Sequence, residues 1–357
     1  MSNKLSVIND LHEIEEEDYN RVINDYIDAV SSNPAVRAIY KMGNISDPGI
    51  SDLDLIVVAK ECSNSINIHK LSINNSGRSE LFNKIFLHDV YLCDTSVIRK
   101  IRYTSLCDNL SLLFGDDQNI MDVDGKELGP LSLQIIFDFV SSRLVQFKQY
   151  LSAGSIGIRG TLVRVSSIRH SYNLLKNLGV NDKETESFIS QVTEMRKNAR
   201  AVKDDDIIDL FLRSFNMFER IVQLAADCFF DKYLNFFTAV DPSNSLKLNN
   251  LFNLKFLAIP LGDGANTNGS VSIFYPEATF YHYMEYTKGN HPIANITSNY
   301  LSFTGGERYD ISEEYKSTLE KRLWLISKQL TFLKKNRVNF AMCGYPGFII
   351  NQECLQD

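Results

Sequence analysis

One segment constrains the fold of this chain more than any other: residues 42–58, which read Met-Gly-Asn-Ile-Ser-Asp-Pro-Gly-Ile-Ser-Asp-Leu-Asp-Leu-Ile-Val-Val. A short β-like run begins at Val36 and ends at Gly43, and a polar turn containing Pro48 and Gly49 follows. Residues 53–59 are mostly β-branched and aliphatic, as in a buried strand. The segment therefore predicts two strands joined by a turn that starts with a glycine.

Two aspartates open the second of these strands. Asp52 and Asp54 are two residues apart, so on a strand both carboxylates project from the same face, while Leu53 and Leu55 point into the core. Two carboxylates held close together repel each other, and one of them tends to stay protonated. A divalent cation removes this penalty, and Mg²⁺ prefers such hard oxygen ligands together with substrate phosphates. The pair therefore predicts a metal site.

The glycine turn adds the features of a phosphate site. Gly43 lets backbone N–H groups approach phosphate oxygens closely, and Asn44 adds a side-chain donor. A strand, a glycine turn and paired aspartates together predict a phosphate cradle beside a metal.

This arrangement resembles the DNA polymerase β-like nucleotidyltransferase superfamily, over roughly residues 9–115. The family pattern is a glycine followed by a small polar residue, a turn, and an Asp-x-Asp on a strand. Its positions fall on Gly43, Asn44, Asp52 and Asp54, and residues 51–55 read Ser-Asp-Leu-Asp-Leu, which matches the Ser-Asp-x-Asp-Leu form. Asn44 departs from the family, where serine is usual at that position.

The resemblance implies an active site with two Mg²⁺ ions and an in-line attack of a hydroxyl on the α-phosphate of a nucleoside triphosphate. Asp52 and Asp54 would bind both ions, and a third carboxylate on a neighbouring strand would bind the ion nearer the acceptor. Asp89 is the best match for that third carboxylate, with Asp94 ranked second; a structural acid at the edge of a strand is the alternative for Asp89.

The resemblance also suggests which residues bind the nucleotide. Gly43, Asn44 and Ser51 belong to the motif itself. In many relatives a helix packed against the catalytic domain sends a cation toward the triphosphate, and Arg164 and Lys176 are the candidates here. They lie on one predicted helix with Arg159 and Arg169, where Tyr172 could stack on the base. A solvated basic face on that helix is the alternative.

The fold class predicted is α+β, in three parts. Residues 1–128 would form a nucleotidyltransferase catalytic domain with a mixed sheet and helices, in which residues 85–94 are a strand candidate and residues 96–114 suggest a helix. Residues 129–238 contain four runs with helical periodicity and almost no Gly or Pro within them, as a helix-bundle domain requires. Residues 239–357 form a mixed region that could bind the acceptor; its Gly-rich stretch at 262–269 is interpreted as a loop, and residues 312–336 as one long helix.

Composition bounds the partners. The net charge is −7, without an evident basic stripe, which argues against long nucleic acids as substrates and favours a small acceptor. The six cysteines are scattered and the N-terminus carries no apolar signal segment. The sequence contains no run of 18 apolar residues, so no membrane span is predicted and we expect a cytoplasmic protein.

Three functions fit this sequence. The first is a metal-dependent enzyme that moves a nucleoside monophosphate from a nucleoside triphosphate to a hydroxyl of a small molecule. The second is a defence or toxin nucleotidyltransferase that acts on RNA or protein, or that makes signalling nucleotides. The third is a catalytically inactive nucleotide-binding module, which the Asn44 substitution keeps in view.

Overall fold

The structure is a computed structural model that describes residues 5–60, 68–73, 79–103, 109–235, 254–260, 270–276 and 310–336. It confirms an α+β protein with a mixed sheet. The elements follow the chain in this order: β1 (Ser6–Ile8), α1 (Glu16–Val30), β2 (Val36–Met42), β3 (Asp54–Ala59), α2 (Glu80–Ile85), β4 (Tyr91–Asp94), α3 (Thr95–Ile98), β5 (Leu110–Gly115), α4 (Leu128–Ala153), β6 (Ser155–Gly157), α5 (Ile158–Ser166), α6 (Ile168–Asn177), α7 (Lys183–Lys197), α8 (Asp204–Tyr233), β7 (Leu234–Asn235), β8 (Leu254–Pro260), β9 (Ser270–Pro276), β10 (Asp310–Ile311) and α9 (Glu313–Asn336).

A four-stranded sheet in the order β4-β3-β2-β5 organises the N-terminal part. Strands β2 and β3 are antiparallel, and β3 and β4 are parallel. Met42 pairs with Asp54, so the turn after β2 and the first carboxylate of β3 lie at the same end of the sheet. This register places the glycine turn next to the aspartates, as the sequence predicts.

The sheet is apolar on both faces because the side chains of its strands alternate. Ile39 and Val57 point into a core with Tyr19 and Tyr26 of α1, whereas Ile56 and its neighbours face a second core. Strands buried on both faces read as continuous hydrophobic runs, which is why residues 53–59 show no polar alternation.

The helical part contains the largest core, formed mainly by α4, α6 and α8. Phe147 lies at its centre and meets the rings of Phe211, Phe215 and Phe218 edge-on, with centroids 5.3–5.6 Å apart. Such pairs are favourable beyond the area they bury. The helices predicted from periodicity are confirmed, except that the run at 158–178 is divided at Ser167 into α5 and α6.

Two predictions of local structure are wrong. A helix is predicted over residues 96–114, but in the described part of this stretch the only α-helix is the short α3, and Leu110–Gly115 is the edge strand β5. The strand expected over residues 85–94 begins only at Tyr91, because α2 extends to Ile85. Pairing of β5 with β2, distant in sequence, overrides the local helical pattern.

The C-terminal region is described in pieces. The helix predicted over residues 312–336 is confirmed as α9, which packs against α4 and against β4 of the four-stranded sheet. The glycine-rich stretch at 262–269 and the tail after 336 lie outside the described residues. In the described part of the chain, no helix combines the length and the apolar character needed to cross a bilayer.

Candidate metal centre

Asp52, Asp54 and His88 converge at the end of the β2–β3 hairpin. Each offers one ligand atom, and these atoms all lie within 4.8 Å of one another. Asp54 is the first residue of β3, and Asp52 precedes the strand by two residues. His88 comes from the irregular segment between α2 and β4.

The charges of this group are unbalanced without a cation. Burial, and then the charge of Asp54, raise the pKa of Asp52. His88 Nε2 lies 2.8 Å from Asp54 Oδ1. Burial alone would lower the pKa of His88, but the contact with Asp54 and the charge of Asp52 outweigh it and raise that pKa to about 9. The imidazolium therefore neutralises part of the negative charge.

The histidine ring has a fixed orientation. Its Nδ1 lies 2.7 Å from the main-chain oxygen of Asp89, which can only accept, so Nδ1 carries a proton and donates it. The Tyr91 ring packs against the imidazole with centroids 4.9 Å apart. Nε2 is thereby directed at the aspartates, in the manner of a metal-binding histidine whose other nitrogen donates to a carbonyl.

The donor set fits a divalent cation. Asp54 Oδ1 is buried, and among the described residues its charge is met by the His88 imidazolium, whose Nε2 lies 2.8 Å away. A metal ion bound between the carboxylates would displace the Nε2 proton of His88 and take over the compensation of their charge. Two carboxylates and an imidazole suit Mn²⁺ or Zn²⁺ as well as Mg²⁺.

Asp89, predicted as the third carboxylate, is not brought to the aspartates. Its Oδ1 accepts hydrogen bonds from the N–H groups of Ile73 (2.9 Å) and Val90 (2.8 Å), and its Oδ2 accepts one from the Ser72 hydroxyl. The chain before β4 is not a regular strand, so His88 rather than Asp89 faces the site. The sequence alone indicates a structural role for His88, and its place one residue before the predicted acid is the only local signal that it belongs to the site.

Asp94, the second choice for that role, is a helix cap. Its Oδ1 accepts hydrogen bonds from the N–H groups of Ser96 and Val97 at the start of α3. Asp94 is the last residue of β4, whereas His88 precedes the start of that strand.

The glycine turn is formed as predicted, with one difference. Gly43 has φ +77°, a conformation that favours glycine, and apart from its two chain neighbours no described residue has an atom within 4 Å of where a Cβ would stand. Its N–H, however, donates to Asn109 O at 2.9 Å. The amide of Gly43 is thus already used, and the exposed Asn44 is the next candidate to meet a phosphate.

Ser51 braces the loop in front of the aspartates. Its hydroxyl accepts hydrogen bonds from Asp47 N and from Arg196 Nη2, both at 3.2 Å, and its main-chain oxygen accepts one from the Tyr19 hydroxyl at 2.6 Å. Arg196 also pairs with Asp47 at 2.8 Å. The side chain that was predicted to bind nucleotide is therefore occupied within the protein.

A buried arginine of the helical part ties this loop to the sheet. Arg159 is only 2% exposed and donates to four main-chain oxygens, those of Ile50, Ser51, Lys84 and Ile85, at 2.5–3.1 Å. It therefore holds the residues immediately before Asp52. The sequence pattern predicts that Arg159 lies on a basic helix face, and that pattern does not reveal its burial.

The remaining predicted cations lie on two helices. Arg164, in the last turn of α5, has its guanidinium 5.1 Å from the centre of the Tyr150 ring. Lys176, in the last turn of α6, lies over Tyr172, and the structure does not place it with the aspartates. Tyr172, which could have stacked on a base, is 1% exposed and belongs to the core.

Comparison with protein-family models, curated proteins and solved structures gives no significant match for this chain. The class of site is therefore defined by its own geometry: a carboxylate–imidazole group that fits a divalent cation, beside an open glycine turn.

Proposed function

We propose that this protein is a metal-dependent nucleotidyltransferase that transfers a nucleoside monophosphate from a nucleoside triphosphate to a hydroxyl of a small acceptor. The convergence of Asp52, Asp54 and His88 at the end of a glycine-turn hairpin is the observation that carries the proposal. The mixed sheet with its β2–β3 hairpin supports assignment to a nucleotidyltransferase fold. The domain limits at 128 and 238 remain predictions.

The reaction forms one bond and breaks another. The acceptor oxygen bonds to the α-phosphorus, the bond from that phosphorus to the β-phosphate oxygen breaks, the hydroxyl proton is lost, and pyrophosphate leaves. Mg²⁺ or a similar ion bound by Asp52, Asp54 and His88 would offset the negative charge on the phosphates. We propose that two ions would be bound, and that Asp52 and Asp54 would be ligands of both.

The protein's own residues would orient the substrates. Asn44, exposed beside the turn, is placed to donate to a phosphate, and Gly43 leaves open space next to it. Arg159 and Arg196 hold the loop from Asp47 to Ser51, so that Asp52 is presented in one position. Preorganised groups of this kind contribute to catalysis because they need not rearrange during the reaction.

The test is pyrophosphate release from each labelled nucleoside triphosphate, with Mg²⁺ or Mn²⁺ and fractionated cell extract as the source of acceptor. Losing a metal ligand removes several kcal/mol of transition-state stabilisation, so Asp52→Asn and Asp54→Asn should each lower the rate about 100-fold or more. Asp28→Asn, on the exposed face of α1, is the matched control and should retain full activity. Equal transfer by wild type and both site variants would refute the mechanism.

A nucleotide-binding module without catalysis is the second candidate. It is favoured by His88 standing where a third carboxylate was expected and by the use of the Gly43 amide within the protein. The same assay separates the two functions. Triphosphate binding without pyrophosphate release, with every metal and extract fraction, would support the module.

A further inference from the structure

The outer face of α9 exposes a large aromatic side chain. The helix packs on the rest of the protein through a stripe of buried residues at helical spacing, Tyr315, Thr318, Arg322, Leu325, Gln329 and Phe332. Trp324 lies outside this stripe and is 47% exposed. A tryptophan is buried for the most part in an average protein, so its exposure here draws attention to its neighbours.

Two lysines lie over the indole ring. Lys328 is one turn later on α9, and its Nζ is 4.4 Å from the centre of the Trp324 ring. Lys100 follows α3, and its Nζ is 5.4 Å from the same centre. Cation–π attraction holds the three side chains together. Within the described ranges neither lysine forms a salt bridge with a carboxylate, so both charges are uncompensated there.

Two more exposed apolar side chains lie near these residues. The N–H of Met121 donates to the main-chain oxygen of Arg99 at 2.8 Å, which places Met121 beside the segment that carries one of the two lysines. Leu128 follows Glu127, whose carboxylate pairs with Lys321, one turn before the tryptophan on α9. Both apolar side chains are about half exposed. They extend the apolar surface around the indole.

The residues Lys100, Met121, Leu128, Trp324 and Lys328 are called the Trp324 patch below. It accounts for three of the six large apolar side chains that are exposed in the described part of the chain. Single exposed apolar residues are common on protein surfaces, but a group of them is typical of an interaction site.

The Trp324 patch and the metal centre lie at different ends of β4. That strand begins at Tyr91, which packs on His88, and ends at Asp94. The chain then continues through α3 to Lys100, and α9 packs against both β4 and α3. The patch therefore lies beyond the end of the strand, whereas the metal ligand precedes its start.

We propose that the Trp324 patch binds an acidic segment of a partner protein, a short stretch of Asp and Glu residues with an apolar side chain among them. Charge complementarity supports this partner, because the patch presents two uncompensated lysines on a chain whose net charge is −7. Carboxylates would pair with the two ammonium groups, and the apolar side chain would cover Trp324 and Met121. Exposed tryptophans of this kind are frequent anchors in protein interfaces.

Nucleic acids and anionic membranes are also negatively charged, but the structure favours a peptide. Stacking of a base requires a free face of the indole, and the ammonium groups of both lysines lie over that ring. An extended polyanion would also meet the acidic remainder of the surface, whereas a short segment contacts the patch alone.

A second copy of the chain is a less suitable partner. It would have to offer an acidic run of its own, such as residues 15–18 at the start of α1. That run lies at the metal-centre end of the sheet, where the Tyr19 hydroxyl donates to Ser51 O. Contact between two such different surfaces is head-to-tail and generates rings or filaments rather than a two-fold dimer.

Intrinsic fluorescence provides the first test, because Trp324 is the only tryptophan of the chain. The probe is a synthetic peptide in which glutamates flank a Leu-Phe pair, titrated into the full chain without metal or nucleotide. The control peptide has glutamine in place of every glutamate. We expect the acidic peptide alone to shift the emission to shorter wavelength, and its binding to weaken as salt is added. Absence of acidic-peptide binding to wild type would overturn the proposal.

Substitutions then assign the binding to the patch, through the fluorescence anisotropy of a fluorescein-labelled acidic peptide. Lys100→Gln and Lys328→Gln should each weaken binding about three- to fivefold, as for exposed charge pairs. Trp324→Ala should weaken it at least about tenfold. Lys183→Gln, at an exposed lysine of α7, is the matched control and should bind as wild type does. Equal binding by all of these proteins would refute the assignment.

Folding is checked in the same samples. The three substituted side chains of the patch lie at the surface, so the melting temperatures should stay within about 2 °C of wild type. If Trp324→Ala melts lower, the two lysine variants and Trp324→Phe decide the question through their peptide affinities. A purely structural role for these residues would lower the melting temperature and leave the affinity of the folded protein unchanged.

The other partners are tested directly. Oligothymidylate and vesicles containing phosphatidylserine are titrated in place of the peptide, and sedimentation velocity measures self-association. Tighter binding of the oligonucleotide or the vesicles than of the acidic peptide would overturn the proposal. Self-association of wild type that is lost in Lys100→Gln would overturn it as well, in favour of a second copy. None of these measurements depends on pyrophosphate release, so they stand apart from the test of the proposed function.

Discussion

Arg159 provides the sharpest test of how the helical part supports the metal centre. Its guanidinium is buried and donates to four main-chain oxygens, two just before Asp52 and two at the end of α2. Arg159→Met removes all four donors while keeping most of the side-chain volume. The variant should therefore lose stability and also loosen the loop that presents Asp52.

The loss of unfolding free energy can be estimated from the hydrogen bonds that Arg159 donates. Each buried acceptor left without a donor costs about 1–3 kcal/mol. Ser51 O keeps its hydrogen bond from the Tyr19 hydroxyl, so three of the four oxygens bear most of the loss. The variant regains part of this, because burial of a charged guanidinium is itself unfavourable and lowers the pKa of Arg159. We expect a net loss of about 3–5 kcal/mol, in line with the loss of one partner from other buried charged contacts.

Urea unfolding followed by circular dichroism measures this loss. The expected change lowers the midpoint by about 1–2 M. Arg159→Lys keeps the charge but reaches fewer carbonyls, so it should fall between wild type and Arg159→Met. Arg213→Met, at an exposed site, should stay within about 0.5 kcal/mol of wild type.

Arg159→Met should also weaken metal binding at the centre formed by Asp52, Asp54 and His88. A group that positions a metal ligand typically changes metal affinity or activity about 10–100-fold when it is lost. Mn²⁺ titration of folded Arg159→Met, below its unfolding transition, should show a reduction of this size. A stability loss under about 1 kcal/mol together with unchanged Mn²⁺ affinity would refute the role assigned to Arg159.

Two further predictions concern the metal ligands and the helical part. His88→Ala should weaken Mn²⁺ binding at least about tenfold while Asp89→Asn leaves it unchanged; the reverse order would restore the sequence-based assignment of the third ligand. The Arg220 guanidinium, 2.5 and 2.7 Å from the two oxygens of Asp182, holds the pKa of that carboxyl well below its usual range. Because the folded-state pKa is lower than the unfolded one, the pair stabilises the fold above about pH 4 and this contribution is lost as the pH falls further. Asp182→Asn should flatten that acid dependence in thermal melts between pH 6 and pH 2.5, and an unchanged slope would show that the pair does not contribute.

The aspartate pair could be predicted because its geometry is local. Asp52 and Asp54 are two residues apart at the start of a strand, after a glycine turn. This spacing brings their side chains together whatever the rest of the chain does. The helices between 128 and 233 were predictable for a similar reason, since helical periodicity is written within each segment.

The third metal ligand could not be predicted from spacing within its own segment. A regular strand through residues 85–94 would have directed Asp89 toward the site. In the structure, α2 ends at Ile85 and β4 begins only at Tyr91. Asp89 instead caps the segment at Ser72 and Ile73. This choice depends on where another part of the chain packs, which no spacing within the segment records.

The sequence alone determined the Asp-x-Asp pair, the glycine turn before it and the helical character of the middle of the chain, because each depends on neighbours a few residues apart. The tertiary structure decided that His88 joins the two aspartates and that Arg159 supports the loop before them from inside the protein. These depend on strand pairing and on the packing of helices against the sheet. His88 lies 34 positions after Asp54, and Arg159 lies 108 positions after Ser51, so only the folded chain sets the distances between these residues.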